Sequence, residues 1–180
     1  PVELVWCKDC GLLQMAYSYE PDEMYGDNYG YRSGLNSSMV KHLTNKVQYL
    51  KRLIPLKSDS VVLDIGSNDA TSLKAYKIKG LRKIGIDPTG GKFKKYYSED
   101  ITLVEDFFSA GAFRSVETRK ANIVTSVAMF YDLEDPIGFS RQVEEILDDR
   151  GVWHFEQSYM PSMLRTNSYD TICHEHLEFY

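Results

Sequence analysis

Val61-Val62-Leu63-Asp64-Ile65-Gly66-Ser67-Asn68-Asp69-Ala70-Thr71 is the stretch whose reading decides the fold. Its first five residues are apolar and largely β-branched except for Asp64, which suits a buried parallel strand. The run breaks at Gly66 and passes through small polar residues into Ser72-Leu73-Lys74-Ala75-Tyr76-Lys77, which reads as a helix. A strand, a glycine turn and a helix N-terminus open a crevice at the carboxyl edge of a sheet, where adenine nucleosides commonly bind. About 20 residues on, at the usual spacing for such a unit, Lys83-Ile84-Gly85-Ile86 predicts a second strand ending in Asp87-Pro88. An acid at that position can accept both hydroxyls of a ribose.

The turn chemistry narrows the ligand. Dinucleotide sites favour G-x-G-x-x-G, because pyrophosphate must approach the backbone and a helix N-terminus closely. Here only Gly66 is a glycine; Asn68 and Thr71 stand at the second and third positions. Asp64 and Asp69 flank the turn, where they would repel phosphate and attract a cation. S-adenosylmethionine carries an ammonium and a sulfonium and no phosphate, so it suits the acid-flanked turn. The alternative is an ordinary buried strand and turn with no ligand.

Outward from this unit, strand and helix signals alternate. Ile101–Val104, Ala121–Ser126 and Gly151–Glu156 read as further strands, and Gly90–Tyr97 and Pro136–Leu147 as helices. Upstream, Val40, Leu43, Val47, Leu50 and Ile54 recur on one face of a helix that Ser37-Ser38 can cap and Pro55 ends. The order predicts an α/β fold, a parallel sheet with helices on both faces and right-handed crossovers. The strand ends then carry the ligand-facing residues: Asp64 to Asn68 with Gly66, Asp87 with Pro88, Asp106 to Phe108, Ser126 and Glu156. Asp106 could bond an adenine amino group, and Phe107 or Phe108 could flank the ring, with the other of the two buried. His42, beside the apolar stripe of the first helix, reads as structural.

Composition fits one sizeable domain with a small appendage: 180 residues, 43% apolar and a net charge of -5. The charge and the lack of a basic stripe argue against nucleic-acid binding. No apolar run reaches membrane-spanning length, and no signal peptide opens the sequence. Three cysteines fit a reducing cytoplasm better than a disulfide framework. Thirteen tyrosines, several in apparent loops such as Tyr25–Ser33, suggest a polar ligand held by hydroxyls and ring faces.

Residues 1–35 read as an N-terminal lobe and 36–180 as the main domain. In the lobe, Val2–Trp6 alternates like a strand and leads into Cys7-Lys8-Asp9-Cys10-Gly11. Such a turn can converge two thiolates on zinc, but structural zinc takes four ligands and no second C-x-x-C follows; a plain turn is the other reading. Near the other end stands Cys173-His174-Glu175-His176-Leu177. Two histidines this close can share a metal only in an extended conformation, since on a helix they point about 200° apart. Acid–base chemistry needs only one of them in a pocket, with a carboxylate beside it. A solvated helix end is the third possibility.

Taken together, Cys7-x-x-Cys10-Gly11-Leu12, Tyr29-x-Tyr31, Asp64-Ile65-Gly66-Ser67-Asn68-Asp69, Gly85-Ile86-Asp87-Pro88-Thr89, Phe155-Glu156-Gln157-Ser158-Tyr159-Met160-Pro161 and His174-Glu175-His176-Leu177 resemble the S-adenosylmethionine-dependent sugar C-methyltransferases. The resemblance covers nearly the whole chain. It implies a zinc-binding lobe, a class I methyltransferase domain with a Rossmann-like sheet, and a further C-terminal domain. The chain would then be truncated at both ends, lacking a first cysteine pair and the closing strands. It implies a nucleotide-linked keto-deoxysugar as substrate, His176 as the base that creates an enolate, Glu175 as its support, and Tyr29 or Tyr31 as a partner of the substrate or its oxyanion. Cys7 and Cys10 would bind zinc only with a second pair. The chain departs from the family at Ala70, where glycine is usual. It departs again at Cys173, often a tyrosine, and at Phe130-Tyr131-Asp132, which replaces a histidine-bearing stretch. These departures bear on the sugar more than on the chemistry.

Three rival readings remain. An O- or N-methyltransferase would share the cofactor crevice with a different acceptor pocket, and the H-E-H segment argues against it. A nicotinamide-dependent sugar enzyme lacks its glycines here. A cofactor-binding fragment without turnover would keep the fold alone.

Overall fold

The computed structural model describes residues 2–17, 25 and 29–180. The Gly26–Asn28 part of the expected tyrosine-rich loop lies outside the described residues. From the N-terminus, Leu4–Trp6 (β1) and Leu13–Met15 (β2) form an antiparallel hairpin whose turn holds Cys7 and Cys10. Gly11, at φ +77, returns the chain, with its N–H on the Cys7 carbonyl at 2.9 Å.

The long helix Ser37–Leu53 (α1) is capped by Asn36, one residue before the expected serines, whose side chain accepts the Ser38 N–H at 2.9 Å. Its buried stripe is Leu43, Val47 and Leu50, and the chain turns extended at Ile54, ahead of Pro55. Val61–Ile65 (β3) follows, buried at every residue. Next come Thr71–Lys74 (α2), Arg82–Ile86 (β4), Gly90–Phe93 (α3) and Ile101–Val104 (β5). Ala110–Arg114 (α4), Ala121–Val127 (β6), Pro136–Ile146 (α5), Leu147–Glu156 (β7), Met160–Thr166 (α6) and Glu178–Phe179 (β8) complete the described elements.

The main sheet has five parallel strands in the order β5-β4-β3-β6-β7. The order reverses between β3 and β6, and at that switch point the strand ends part to leave a crevice. Alternation along β3 sends Val61, Leu63 and Ile65 into one core with Phe113, Phe139, Val143 and Ile146. Val62 enters the other, with Val47, Leu50, Leu73 and Tyr76. Each fully buried aliphatic side chain contributes about 1.5–3 kcal/mol, which fixes the register of β3 and hence the place of Asp64.

The expected strands and helices form, and the structure adds elements that periodicity did not disclose. β7 begins at Leu147 rather than Gly151, with an irregularity opposite Ala121–Ile123. β8 pairs antiparallel with β2, Leu13 opposite Phe179, so a second, three-stranded sheet draws its strands from both ends of the chain. Met15, Met163 and Phe179 are its buried core. No helix among the described residues is long and apolar enough to cross a membrane.

Candidate active site

Gly66 ends β3 at φ +71, in the left-handed region open to glycine, and its N–H donates to the Ile86 carbonyl at 2.9 Å. This bond draws the ends of β3 and β4 together, and Asp87 completes the link. Asp87 Oδ2 accepts the Asn68 N–H and Oδ1 the Thr89 N–H, each at 2.7 Å. Asn68 and Ala70 also take left-handed conformations. Ala70, which stands where a glycine is usual, is strained by its Cβ, and its methyl is buried with Val47 and Leu73.

The turn carries a strap. Asn68 Oδ1 accepts the Ser33 N–H at 2.9 Å and its Nδ2 donates to the Tyr31 carbonyl at 3.0 Å. Asp69 Oδ2 accepts the Gly34 N–H at 3.0 Å and faces the Arg32 guanidinium at 3.6 Å. A side chain on Gly34 would meet that carboxylate at 2.4 Å, so the approach depends on glycine. Arg32 in turn lies over the Tyr96 ring, 4.2 Å from its centre. Asp69, read from the sequence as a cation-attracting flank of the turn, is instead spent on the strap and does not line the cavity.

Beneath the strap lies a cavity of about 940 Å³, lined by the β3 turn, the β4 end, the strap and the segment after β6. Asp64, Gly66, Asn68, Asp87, Pro88, Phe107 and Phe108 border it, as do Tyr29, Tyr31, Glu175 and His176. The structure thus brings both halves of the expected site around one hollow. Phe107 is exposed at its edge, whereas Phe108 packs edge-on against Phe139 with ring centres 5.0 Å apart. Asp106 and Ser126 do not line the cavity. Asp106 is exposed and accepts the Phe107 N–H at 2.7 Å. Ser126 is fully buried and accepts the Trp153 indole N–H at 2.9 Å. Glu156, also expected to face the ligand, is held by His42 Nε2 at 2.6 Å and Lys46 Nζ at 2.8 Å.

The cavity is acidic. Asp64, Asp87, Asp132, Glu134 and Glu175 line it, with no Lys or Arg among the lining residues described. Burial pushes the Asp64 carboxyl up to about 7, the Thr125 hydroxyl opposing and Asp87 adding. A carboxyl in that state gains from a ligand cation, so the crevice fits S-adenosylmethionine, with its ammonium and sulfonium, and disfavours pyrophosphate.

At the opposite wall His176 follows a turn, its N–H on the Cys173 carbonyl at 3.3 Å. Its Nδ1 lies 2.6 Å from the Thr171 carbonyl oxygen. A carbonyl only accepts, so Nδ1 carries the proton and Nε2 the lone pair. Burial holds the imidazole below its ordinary pKa, the Thr171 carbonyl and Glu175 opposing. The ring packs on Tyr131 with centres 4.0 Å apart, and the Leu177 N–H donates to the Tyr131 carbonyl at 2.8 Å.

Sequence reasoning offered Tyr25 only as one of the loop's tyrosines and did not name Asp132 as a site residue. The Tyr25 hydroxyl donates to Asp132 Oδ2 at 2.7 Å, and both line the cavity. The signal was present in the departure at Phe130-Tyr131-Asp132, which sits where the chain leaves β6. At the hairpin, the Cys10 backbone N–H and thiol bond the Cys7 sulfur and hold its thiol below the usual range. Among the described residues no third His, Cys, Asp or Glu gathers with this pair. The described residues therefore do not make a four-ligand zinc site.

A switch-point crevice lined by carboxylates on this strand order defines a class I, S-adenosylmethionine-dependent methyltransferase domain. The chain belongs to the methyltransferase-domain family, whose model matches residues 39–180. It is 26% identical over its whole length to the C-methyltransferase NovU of Streptomyces niveus, and spans 43% of that protein's length. Among solved structures it resembles the plantazolicin methyltransferase BpumL in complex with a triazolic desmethylPZN analog and SAH. The TM-score is 0.58 at 14% identity, covering 77% of this chain and 55% of that one. DesVI of Streptomyces venezuelae is similar in fold, with a TM-score of 0.55 at 18% identity over 81% of this chain and 61% of that one.

Proposed function

We propose that this chain is the catalytic part of a C-methyltransferase that methylates a carbon next to the ketone of a nucleotide-linked keto-deoxysugar. The observation that carries the reading is the His176 tautomer: Nδ1 committed to the Thr171 carbonyl, and the ring held neutral by burial. A carbon beside a ketone is not nucleophilic until it loses a proton, and a neutral imidazole with its Nε2 lone pair free is suited to take it. An amine acceptor, already nucleophilic when neutral, has less need of such a base. The 26% identity to a C-methyltransferase supports the same choice, as does the H-E-H resemblance.

S-adenosylmethionine supplies an electrophilic methyl group when bound. Asp64 and Asp87 are the groups suited to its ammonium and its ribose, and Phe107 to its adenine face. Tyr29 is better suited than Tyr31 to hold the acceptor. Burial, with Asp87 adding, pushes the Tyr29 phenol up to about 12, so it stays a donor, whereas the Tyr31 side chain is 52% exposed. Glu175 supports the imidazolium formed on proton transfer, while Thr171 sets its tautomer. Holding donor and acceptor in one cavity contributes through proximity and alignment.

The test is His176→Asn in the full-length protein, with keto-sugar nucleotides as acceptors. Methyl transfer should disappear while calorimetric affinity for S-adenosylmethionine stays unchanged. Retained turnover would remove His176 from the role. Transfer to oxygen or nitrogen in the wild type would overturn the reading.

A further inference from the structure

We infer that Asp132 is a second catalytic group: a carboxyl gripped at one oxygen by Tyr25, whose other oxygen donates a hydrogen bond to the acceptor oxygen that gains charge when His176 deprotonates the neighbouring carbon. This rests on the C-methyltransferase reading above.

The geometry is asymmetric. Asp132 Oδ2 accepts the Tyr25 hydroxyl at 2.7 Å. Asp132 Oδ1 is buried with no hydrogen-bond partner among the described residues, in a side chain that lines the cavity. An ionised oxygen left bare in this way costs about 1–3 kcal/mol or more. No Lys or Arg among the described lining residues offsets the charge, and Glu175 adds to it. The groups around Asp132 are the phenols of Tyr25, Tyr29 and Tyr131, all held protonated, and the Glu175 carboxylate. The surroundings therefore favour the neutral acid. Because Tyr25 donates to Oδ2, the proton belongs on Oδ1, the oxygen that lacks a partner. An O–H there needs an acceptor, and a ketone oxygen is one.

Asp132 and His176 line the same cavity, and backbone contacts tie their segments together. Tyr131, the neighbour of Asp132, lies tilted against the His176 ring with centres 4.0 Å apart and takes the Leu177 N–H on its carbonyl. Burial acts on the two groups in opposite senses. Burial pushes Asp132 up to about 7, Tyr25 opposing and Glu175 adding, while burial pushes His176 down. An acid shifted toward its protonated form and a base shifted toward its neutral form, lining one cavity, are the separation that enolisation requires.

The step balances. His176 Nε2 takes the proton from the carbon next to the ketone, and the C–H electron pair becomes the carbon–carbon double bond. The carbonyl π pair moves onto oxygen, where Asp132 Oδ1–H stabilises it. When the carbon takes the methyl group from the sulfonium donor, the C–S pair leaves on sulfur and the C=O re-forms. Asp132 keeps its proton throughout, and His176 loses its own to water.

The experiment compares Asp132→Ala, Asp132→Asn and Tyr25→Phe in the full-length protein. It measures kcat, KM and pH profiles, and deuterium wash-in at the ketone's neighbouring carbon without cofactor. Asp132→Ala should lower kcat on the order of 10²–10³-fold, the usual loss for one oxyanion donor, and slow wash-in equally. Asp132→Asn keeps an N–H donor and should stay within about tenfold of wild type, without the alkaline limb expected of wild type near pH 7. Tyr25→Phe should move that limb to higher pH. Equal losses in Asn and Ala variants, or none in Ala, would overturn the role while leaving the C-methyltransferase reading standing. A wild type that neither methylates nor exchanges would overturn both. Carbon-13 NMR of wild-type carboxyls gives a readout apart from turnover: a resonance missing from Asp132→Asn should titrate near 7, and titration below about 5 would overturn the assignment.

Discussion

Asp87 Oδ2 accepts the backbone N–H of Asn68 at 2.7 Å, so the carboxylate suited to a ribose also fastens the glycine turn. One side chain thus fastens the crevice at the place where the ribose is expected. Asp87→Ala should cost about 1–3 kcal/mol of stability by stranding buried N–H groups, which confounds any loss of binding. Asp87→Asn keeps one accepting oxygen but turns an NH2 toward the N–H of Asn68 or Thr89, so it too should melt below wild type; measured where it stays folded, it should bind S-adenosylmethionine at least tenfold more weakly by calorimetry. Wild-type affinity in this variant would count against the ribose role.

Asp64 makes cofactor affinity depend on pH. Its carboxyl, pushed up to about 7 by burial, must ionise to pair with an ammonium. Binding lowers that pKa, so below about 7 it expels a proton, and affinity should fall as pH drops. Calorimetry at pH 6 in two buffers of different ionisation enthalpy should find release of up to about one proton. Asp64→Asn should abolish the release.

The strap predicts a split between acceptor and cofactor. Asp69 does not line the cavity, yet it holds Gly34 and Arg32. Asp69→Ala should speed amide exchange at Arg32–Gly34 and raise acceptor KM on the order of tenfold through misplaced Tyr29 and Tyr31. Cofactor affinity should change far less.

Glu117 should stabilise the fold in a pH window of its own. The Arg119 side chain, with backbone N–H groups of Thr118 and Arg119, holds its carboxyl down to about 2, burial opposing. Unfolded, it titrates near 4.3. A depressed native pKa gives stability that is full above the unfolded value and lost as pH falls through about 2. Glu117→Gln should lower stability by about 1–3 kcal/mol at neutral pH, and the gap from wild type should close in acid melts.

Where burial dictates residue type, the sequence was readable. β3 and β4 are short apolar runs with one acid each at a useful place, and α1 and α5 show their stripes plainly. The gathering of Asp64, Asp87 and His176 around one cavity was readable from strand ends and motif order. What local pattern could not convey was partnership across long separations. β8 is two residues long, and its strand character comes from pairing with β2. Asp69 looked like a ligand group because the backbone N–H donors of the strap leave no trace in residue type, whereas Asn68 both holds the strap and borders the cavity. Glu156 was read as facing the ligand because nothing nearby in sequence announced His42 and Lys46. Asp132 was visible only as a departure from resemblance, since its meaning depends on Tyr25, 107 residues away.

The pairing of Leu13 with Phe179 closes a loop that contains the entire parallel sheet. Among the described strand pairings this one spans the longest stretch of sequence and bears the largest closure entropy, which favours its late formation. His176 lies beside it, its neighbour Leu177 receiving the Met15 N–H at 2.8 Å. Maturation should therefore run in two stages: during refolding, recovery of cofactor binding precedes recovery of turnover, and nascent protein holds its methyl donor before it can spend it.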